Sequence, residues 1–451
     1  MPPPSAVISQ EEGAFAEDAP VETLTDAPAA YDGGNGDACD LDGIDPYDPE
    51  KVIAYEIVNL TDEQIAELES IGYSWWDTYS QIPEATVNVD INITVSECET
   101  VSFTDVNLEI GREMGYVAPS ASGETSWRVD YNDSNSAQKI GGYDNARWWA
   151  EIYSGPVAEP FLYQYAIKYL PETRGRRSAW MTLSTNYWPA NFAAAYNAFE
   201  PYSEDMMDRD YGKNGWISMY EGDPAYMTCQ VGTCDDTRLN ACLTKVYDIE
   251  ALDASDSLVA ETGDCFDWSN IAATYAWEVY FSHWDGFMSP HNGYVEELGD
   301  SASPDTSRFS LRIAGVDLVN PNWVSVEEVT FYSWSTLYPP CWKDQSEGGC
   351  RAMLVADLQI LIEAGRSGKM ASDLDKVAAS RQALGLWWEG VDEGWYNDER
   401  DWLTARPDYV EMALTDALDP CNDWTAAGYN PWDTGLAGEC GDTGFIDTGK
   451  P

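Results

Sequence analysis

Hydrophobic and polar positions fall into a regular pattern from Lys51 onward. KVIAYEIVN alternates and predicts a strand, and TDEQIAELESIGY holds its apolar residues at helical spacing, with Thr61 as the cap and Gln64 at the third helical position. VNVDINITV, from Val87, alternates with period two and predicts a second strand. The following SFTDVNLEIGREMGY places Val106, Ile110 and Met114 on one helical stripe that Gly115 ends. SWRVDY around Trp127 predicts the next strand. YDNARWWAEIYSG and NFAAAYNAF read as helices, and VYDIEAL, WSNIAATYAW and EVYFSHW read as strand, helix and strand. FSLRIAGVDLV predicts a further strand. MLVADLQILIEA and LDKVAASRQALGLWWEGVDEGWYNDERDWL carry apolar residues three and four apart and predict closing helices. Strand and helix in alternation predict an α/β fold with parallel pairing.

The ends lack this periodicity. Residues 1–50 are rich in Pro, Ala, Gly and acid and read as a disordered acidic arm, and 421–451 read as a Gly/Asp/Thr-rich tail. Residues 51–420 are the expected ligand-binding domain, with a lobe crossover near 180–290. Within the arm, GNGDACDLDGIDPYDPE sets Asp40, Asp42, Asp45 and Asp48 around Gly43. Alternating aspartates with a turn glycine suit calcium, which takes several hard oxygen ligands in a flexible loop. The run resembles one fragment of a thrombospondin type 3 calcium repeat. Calcium is the one cofactor the sequence suggests, against the plainer reading of a solvated acidic linker.

Charge narrows the partners. With 24 Lys+Arg against 79 Asp+Glu the net charge is -55. A polyanion of that size is repelled by nucleic acid and by anionic membranes, and attracts cations. Hydrophobic content of 44% with 20 Trp and 27 Tyr is ample for a packed core. The 10 Cys lack the paired CxxC spacing of a zinc site. Local pairs such as Cys229/Cys234, Cys242/Cys265, Cys341/Cys350 and Cys421/Cys440 read as loop staples and point to an extracellular, cell-surface or periplasmic setting. No run is long and apolar enough to predict a transmembrane segment.

Catalytic patterns are missing. The chain has no GxGxxG after a strand, no GxxxxGK[ST], no GxSxG and no HExxH. Both histidines, His283 and His291, lie in the ring-rich stretch YFSHWDGFMSPHNGY, eight apart and without a nucleophile context. A two-carboxylate glycosidase needs a pair that 79 acids do not single out. The expectation is a binding protein, not an enzyme.

The aromatic excess suggests what is bound. Each Trp or Tyr face holds a cation at about 0.5–2 kcal/mol, although most rings simply fill cores. Several segments, spanning roughly residues 85–405, resemble the substrate-binding domain of glycine betaine/choline-type ABC transporters. VNVDINITV leading to REMGY is similar to that family's strand and helix. WAEIYSGPVAEPFLY, Trp149 to Tyr163, is a looser match to its small-residue turn and pocket strand. DPAYMTCQ, with Tyr226 and Cys229, echoes its aromatic-Gly-Cys loop. YFSHWDGFMSPH resembles its Trp-x-Pro-His segment with five residues inserted after Trp284, and LYPPCWKDQSEGGC resembles a Pro-rich Cys-pair stretch. The resemblance implies a bilobed, periplasmic-binding-protein-like α/β fold closing over a small zwitterion. Trp149, Tyr163, Trp188, Tyr226 and Trp284 would then supply the aromatic cage for its quaternary ammonium group. The competing expectation is an extracellular structural or assembly protein (matrix, filament or polysaccharide-binding) with an acidic, calcium-compatible surface.

Overall fold

A computed structural model describes residues 41–49, 51–70, 86–95, 100–110, 126–131, 135–149, 157–186, 194–250, 258–283, 286–287, 292–316, 319, 325–329, 331, 333, 335–384 and 392–419. The first layer comprises β1 (Ile53–Ile57), β2 (Thr86–Val95), β3 (Val101–Ile110), β4 (Trp127–Asp130), β5 (Asn145–Trp149), β6 (Ser178–Thr185) and β7 (Ala194–Phe199). They close into a barrel in the order β1-β2-β3-β4-β5-β7-β6. Neighbours pair antiparallel except β1 and β6, which run parallel with Ile53 opposite Met181. Val87, Val89, Ile91, Ile93 and Val95 all point inward from β2 and are buried, as period two requires. Rings fill the lumen, with Tyr55 and Trp148 at 4.6 Å between centroids, and Tyr131 beside them.

A separate four-stranded antiparallel sheet contains β8 (Trp216–Asp223), β9 (Tyr226–Gly232), β10 (Gly293–Leu298) and β11 (Arg308–Ile313), ordered β11-β10-β8-β9. The helices are α1 (Asp62–Ser70), α2 (Ala158–Gln164), α3 (Glu204–Tyr211), α4 (Thr237–Glu250), α5 (Leu258–Thr262), α6 (Trp268–Phe281), α7 (Tyr338–Lys343), α8 (Cys350–Arg366), α9 (Lys369–Ala383) and α10 (Asp392–Ala417). Nearly every residue of α6 is buried, because it is apolar around its whole circumference and packs on α8 and β11. The second core gathers α6, α8 and the second sheet with the outward rings Trp149, Trp180 and Phe199 of the barrel.

This architecture overturns the expected bilobed α/β fold: the barrel is closed and almost wholly antiparallel, and β1–β6 is its one parallel pair. The segment expected to be a helix at Val106 and Ile110 is β3. Asp105 stands at φ 54 where the β2–β3 register slips, so Phe103 and Val106, three apart, both face inward. Val106 and Ile110 are four apart, a spacing that a strand of period two satisfies as readily as a helical turn. NFAAAYNAF also forms a strand, β7: its residues Tyr196 to Phe199 are all buried, Tyr196 and Ala198 in the lumen and Phe199 outside, so no alternation is visible. YDNARWW contains β5 for the same reason of two-faced burial at Trp148 and Trp149. VYDIEAL begins inside α4, and EVYF ends α6, where Ser282 adopts the left-handed conformation that caps the helix.

Other expectations hold locally. Thr61 and Gln64 form the capping box, with Gln64 N–H donating to Thr61 Oγ1 at 3.2 Å and Thr61 N–H to Gln64 Oε1 at 2.9 Å. The pairs Cys229–Cys234, Cys242–Cys265 and Cys341–Cys350 are disulfides, with Cα separations of 5.7, 5.6 and 4.9 Å. Cys421 and Cys440 lie outside the described residues, as do the tail and most of the arm. No helix among the described residues is long and apolar enough to cross a membrane.

Candidate functional site: a mixed-charge cleft beside the barrel

A cleft of about 350 Å³ opens where three parts of the chain meet, lined by Gly43, Ile44 and Asp45, by the Gly141–Tyr143 turn, and by Arg177, Asp205 and Arg209. The turn joins β4 to β5. Ile140 and Tyr143 exchange backbone hydrogen bonds of 3.0 Å across Gly141 and Gly142, which sit at φ 60 and 84, values that favour glycine. Gly141 has a second constraint: a Cβ there would lie 2.2 Å from the carbonyl oxygen of Ile44. Gly141 N–H instead donates to Leu41 O at 2.8 Å and ties the turn to the 3₁₀ turn Leu41–Gly43.

Beneath the cleft lies Glu200, the residue after β7, fully buried. Its Oε1 accepts from the Tyr143 hydroxyl, from Arg209 and, at 3.4 Å, from Arg177, while Oε2 accepts the Arg177 backbone N–H at 3.2 Å. Arg177 also donates to Tyr143 Oη at 2.9 Å and to Asp45 Oδ2 at 2.6 Å, and lies 5.4 Å above the Tyr47 ring. Burial pulls the Arg177 guanidinium down, but Glu200, Tyr143 and Asp45 together outweigh it and hold its pKa above the ordinary value. Burial, followed by the Glu200 charge, drives the Tyr143 hydroxyl upward, so it stays protonated as a donor.

The network continues away from the cleft. Arg209 Nε donates to Asp210 Oδ1 at 2.9 Å, and Asp210 Oδ2 accepts from Arg312 at 2.6 Å. Arg312, wholly buried in β11, also pairs with Glu296 of β10 and donates to Gly175 O at 2.9 Å. Tyr211 closes the series by donating to Glu296 Oε2 at 2.5 Å. Burial alone would raise the Asp210 carboxyl, yet Arg312 and Arg209 bring its pKa below the ordinary value. Asp205 behaves in the opposite way: burial first, and then the Asp144 charge, raise it.

The expected ring cage is met only in part. Trp149 and Tyr163 come together on Phe199, at centroid distances of 5.9 and 5.4 Å, but all three are buried and the cation among the rings belongs to the chain. The Arg176 guanidinium lies 4.0 Å from the Phe199 centroid, 4.9 Å from Tyr163 and 5.4 Å from Tyr202, with Glu159 at 3.7 Å. Tyr226 opens β9, away from this group in sequence and sheet, and Trp188 and Trp284 lie outside the described residues. Of the aspartates expected to bind calcium, Asp45 pairs with Arg177 and Asp48 stands 3.7 Å from Lys51; Asp42 falls in the 3₁₀ turn, and Asp40 is outside the described residues. Among the described residues no group of three or more His, Cys, Asp or Glu is arranged to hold a metal. His283 is buried, with Nδ1 3.3 Å from Glu278 Oε1 and Nε2 2.9 Å from Gly315 O, while His291 is outside the described residues.

Tyr143, Arg177, Glu200, Asp205 and Arg209 belong to no recognisable motif in the sequence. One signal was available: TRGRRS packs Arg174, Arg176 and Arg177 into four residues of a chain with 24 bases in 451 positions. All three meet aromatic faces, Arg174 over Tyr211 at 5.3 Å. The cleft presents charges of both signs beside Gly43, Gly141 and Gly142, an arrangement suited to holding a polar solute in one orientation. No protein-family model matches the chain, and no curated protein matches it.

Proposed function

We propose that this protein is an extracellular binding protein whose ligand site is the cleft between the Gly141–Tyr143 turn and α3, and that it takes a small polar solute there. The observation that carries this reading is the meeting of Arg177, Arg209, Asp45 and Asp205 around one open space of about 350 Å³, in a chain whose bases are scarce. Scarce bases gathered beside buried Glu200 form a rigid and electrically ordered wall, and such preorganisation lowers the cost of binding. The three disulfides fit an oxidising setting. The expected quaternary ammonium cage is not needed for this reading, since Trp149 and Tyr163 pack in the core on Phe199, with Arg176 over Tyr163 and Phe199.

The test is a thermal-shift panel of amino acids, betaine, choline, glucose and calcium, run on the wild type and on Gly43→Trp. A Cβ at Gly43 meets no atom within 4 Å, so the indole enters open space and blocks the cleft without disturbing the backbone. A solute that raises Tm in the wild type and not in Gly43→Trp supports the reading. A shift that persists unchanged in the blocked variant overturns it.

A further inference from the structure

The cleft's two signs of charge are placed unequally, and the difference specifies a ligand. On the cationic side, Arg209 donates to Glu200 through Nη1 and to Asp210 through Nε, with Nη2 2.6 Å from the same Asp210 oxygen, and its side chain is 26% exposed, so that its remaining N–H groups can face the cleft. On the anionic side, Asp205 lines the same cleft and has no ion-pair partner within 4 Å among the described residues. Asp205 and Arg209 stand four apart on α3, hence on one face with Cβ atoms about 5–6 Å apart, yet Arg209 is drawn toward Glu200 and Asp210 instead. α3 therefore presents a carboxylate and a guanidinium side by side, neither neutralising the other.

We infer that the solute is a zwitterion bearing a primary ammonium, an amino acid of short ammonium-to-carboxylate span, with its carboxylate on Arg209 and its ammonium on Asp205. This inference rests on the cleft being the ligand site. A charge-assisted pair at each end fixes orientation, and a ligand lacking the ammonium leaves Asp205 without an ion-pair partner, while one lacking the carboxylate forgoes the exposed N–H groups of Arg209. The ammonium must carry hydrogens. Tyr143 is the one ring among the lining residues, too few for a cage, so a carboxylate rather than stacked faces receives the cation, and a carboxylate is best answered by N–H donors. Tyr143 itself is held with its hydroxyl on Glu200 and its ring edge-on to Tyr47 at 5.2 Å, so it serves as a wall.

Calorimetric titration of the full chain with glycine, β-alanine and 4-aminobutyrate, their N-trimethylated analogues, methylammonium, acetate and glucose separates the outcomes. At least one of the three amino acids is expected to bind at least tenfold more tightly than its trimethylated analogue and than methylammonium or acetate. Asp205→Asn is expected to weaken it at least tenfold. Arg209→Gln should do the same but also disturbs Glu200; Asp205 makes no such contact, so Asp205→Asn decides. Equal affinity for the trimethylated analogue, unchanged affinity in Asp205→Asn, or no binding by any of the three overturns the inference. Cleft-dependent binding of glucose or betaine alone, lost in Gly43→Trp, would overturn the ligand class and leave the cleft as the site. Binding that survives Gly43→Trp overturns both.

Discussion

Asp210 joins Arg209 to Arg312: one carboxylate on α3 accepts from the cleft arginine through Oδ1, at 2.9 Å, and from the buried arginine of β11 through Oδ2, at 2.6 Å. The wall of the cleft is thereby tied to the interior of the second sheet. With both arginines holding its pKa down, the folded Asp210 stays ionised to lower pH than the unfolded one. Its contribution is therefore complete above the unfolded carboxylate range, about pH 4, and is lost as pH falls through the folded pKa. The stability difference between wild type and Asp210→Asn, measured by urea unfolding, should be largest near neutrality and shrink below about pH 4.

Glu200 answers two guanidiniums and a phenol from a fully buried position. Glu200→Gln removes that shared charge, while Arg177 keeps Asp45 and Arg209 keeps Asp210 at the edge of the cleft. Removing one partner of a buried hydrogen-bonded group costs about 1–3 kcal/mol. Chemical denaturation should register a loss of that order, and a change below about 1 kcal/mol, the worth of an exposed pair, would refute a central role for this carboxylate.

Arg406 is wholly buried, and its hydrogen bonds among the described residues go to oxygens of main chain and hydroxyl rather than to carboxylates. It donates to Val279 O at 3.2 Å and to Tyr280 O at 2.7 Å at the end of α6, and to Val326 O at 2.8 Å and Glu328 O at 3.0 Å. Burial brings its pKa down to about 10, but it remains charged at neutral pH and faces the negative end of the α6 dipole. Arg406→Met should cost on the order of 3 kcal/mol, since four carbonyls lose a donor, of which Val279 O and Glu328 O keep a second one from Ser282. Arg406→Lys, lacking the planar fork, should recover less than half of that loss in the same unfolding experiment.

Glu399 is a buried acid on α10 whose pKa burial raises to about 8. A raised carboxyl pKa makes the folded state bind the proton more tightly, so ionisation opposes folding between the unfolded value, about pH 4.3, and pH 8. Glu399→Gln should stabilise the protein increasingly across that window and reach a plateau above it. A Tm series from pH 4 to pH 9 that shows no such widening would refute the assignment.

Legibility followed the local character of each signal. The Thr61–Gln64 capping box, the alternation of β2 and the close cysteine pairs depend on neighbours in sequence, and all were readable. β3 reads as a helix because the four-residue spacing of Val106 and Ile110 suits a helical turn and a period-two strand equally. β7 and β5 were misread because they are buried on both faces, one against the lumen and one against α-helical rings, which erases the polar half of the pattern. The cleft was invisible for a different reason. Asp45, Tyr143, Arg177 and Arg209 belong to four separate segments: the β6–β7 pairing sets Arg177 beside Glu200, Tyr143 and Arg209 reach the same carboxylate from a turn and from α3, and Asp45 joins through Arg177. The sequence shows how many rings the chain has, but not that Arg176 already fills the group they form.

The parallel pairing of β1 with β6 has a consequence for how the chain is made. Ile53 to Ile57 finds its second partner only in Met181 to Thr185, well over a hundred residues later, so the barrel cannot close until β6 has left the ribosome. Until then β1 keeps an open edge, the feature most prone to pairing with a neighbouring chain. Closure through such distant contacts makes folding slow. A nascent chain stopped before Ser178 should therefore associate, whereas one extended beyond Phe199, where β7 completes the ring, should not.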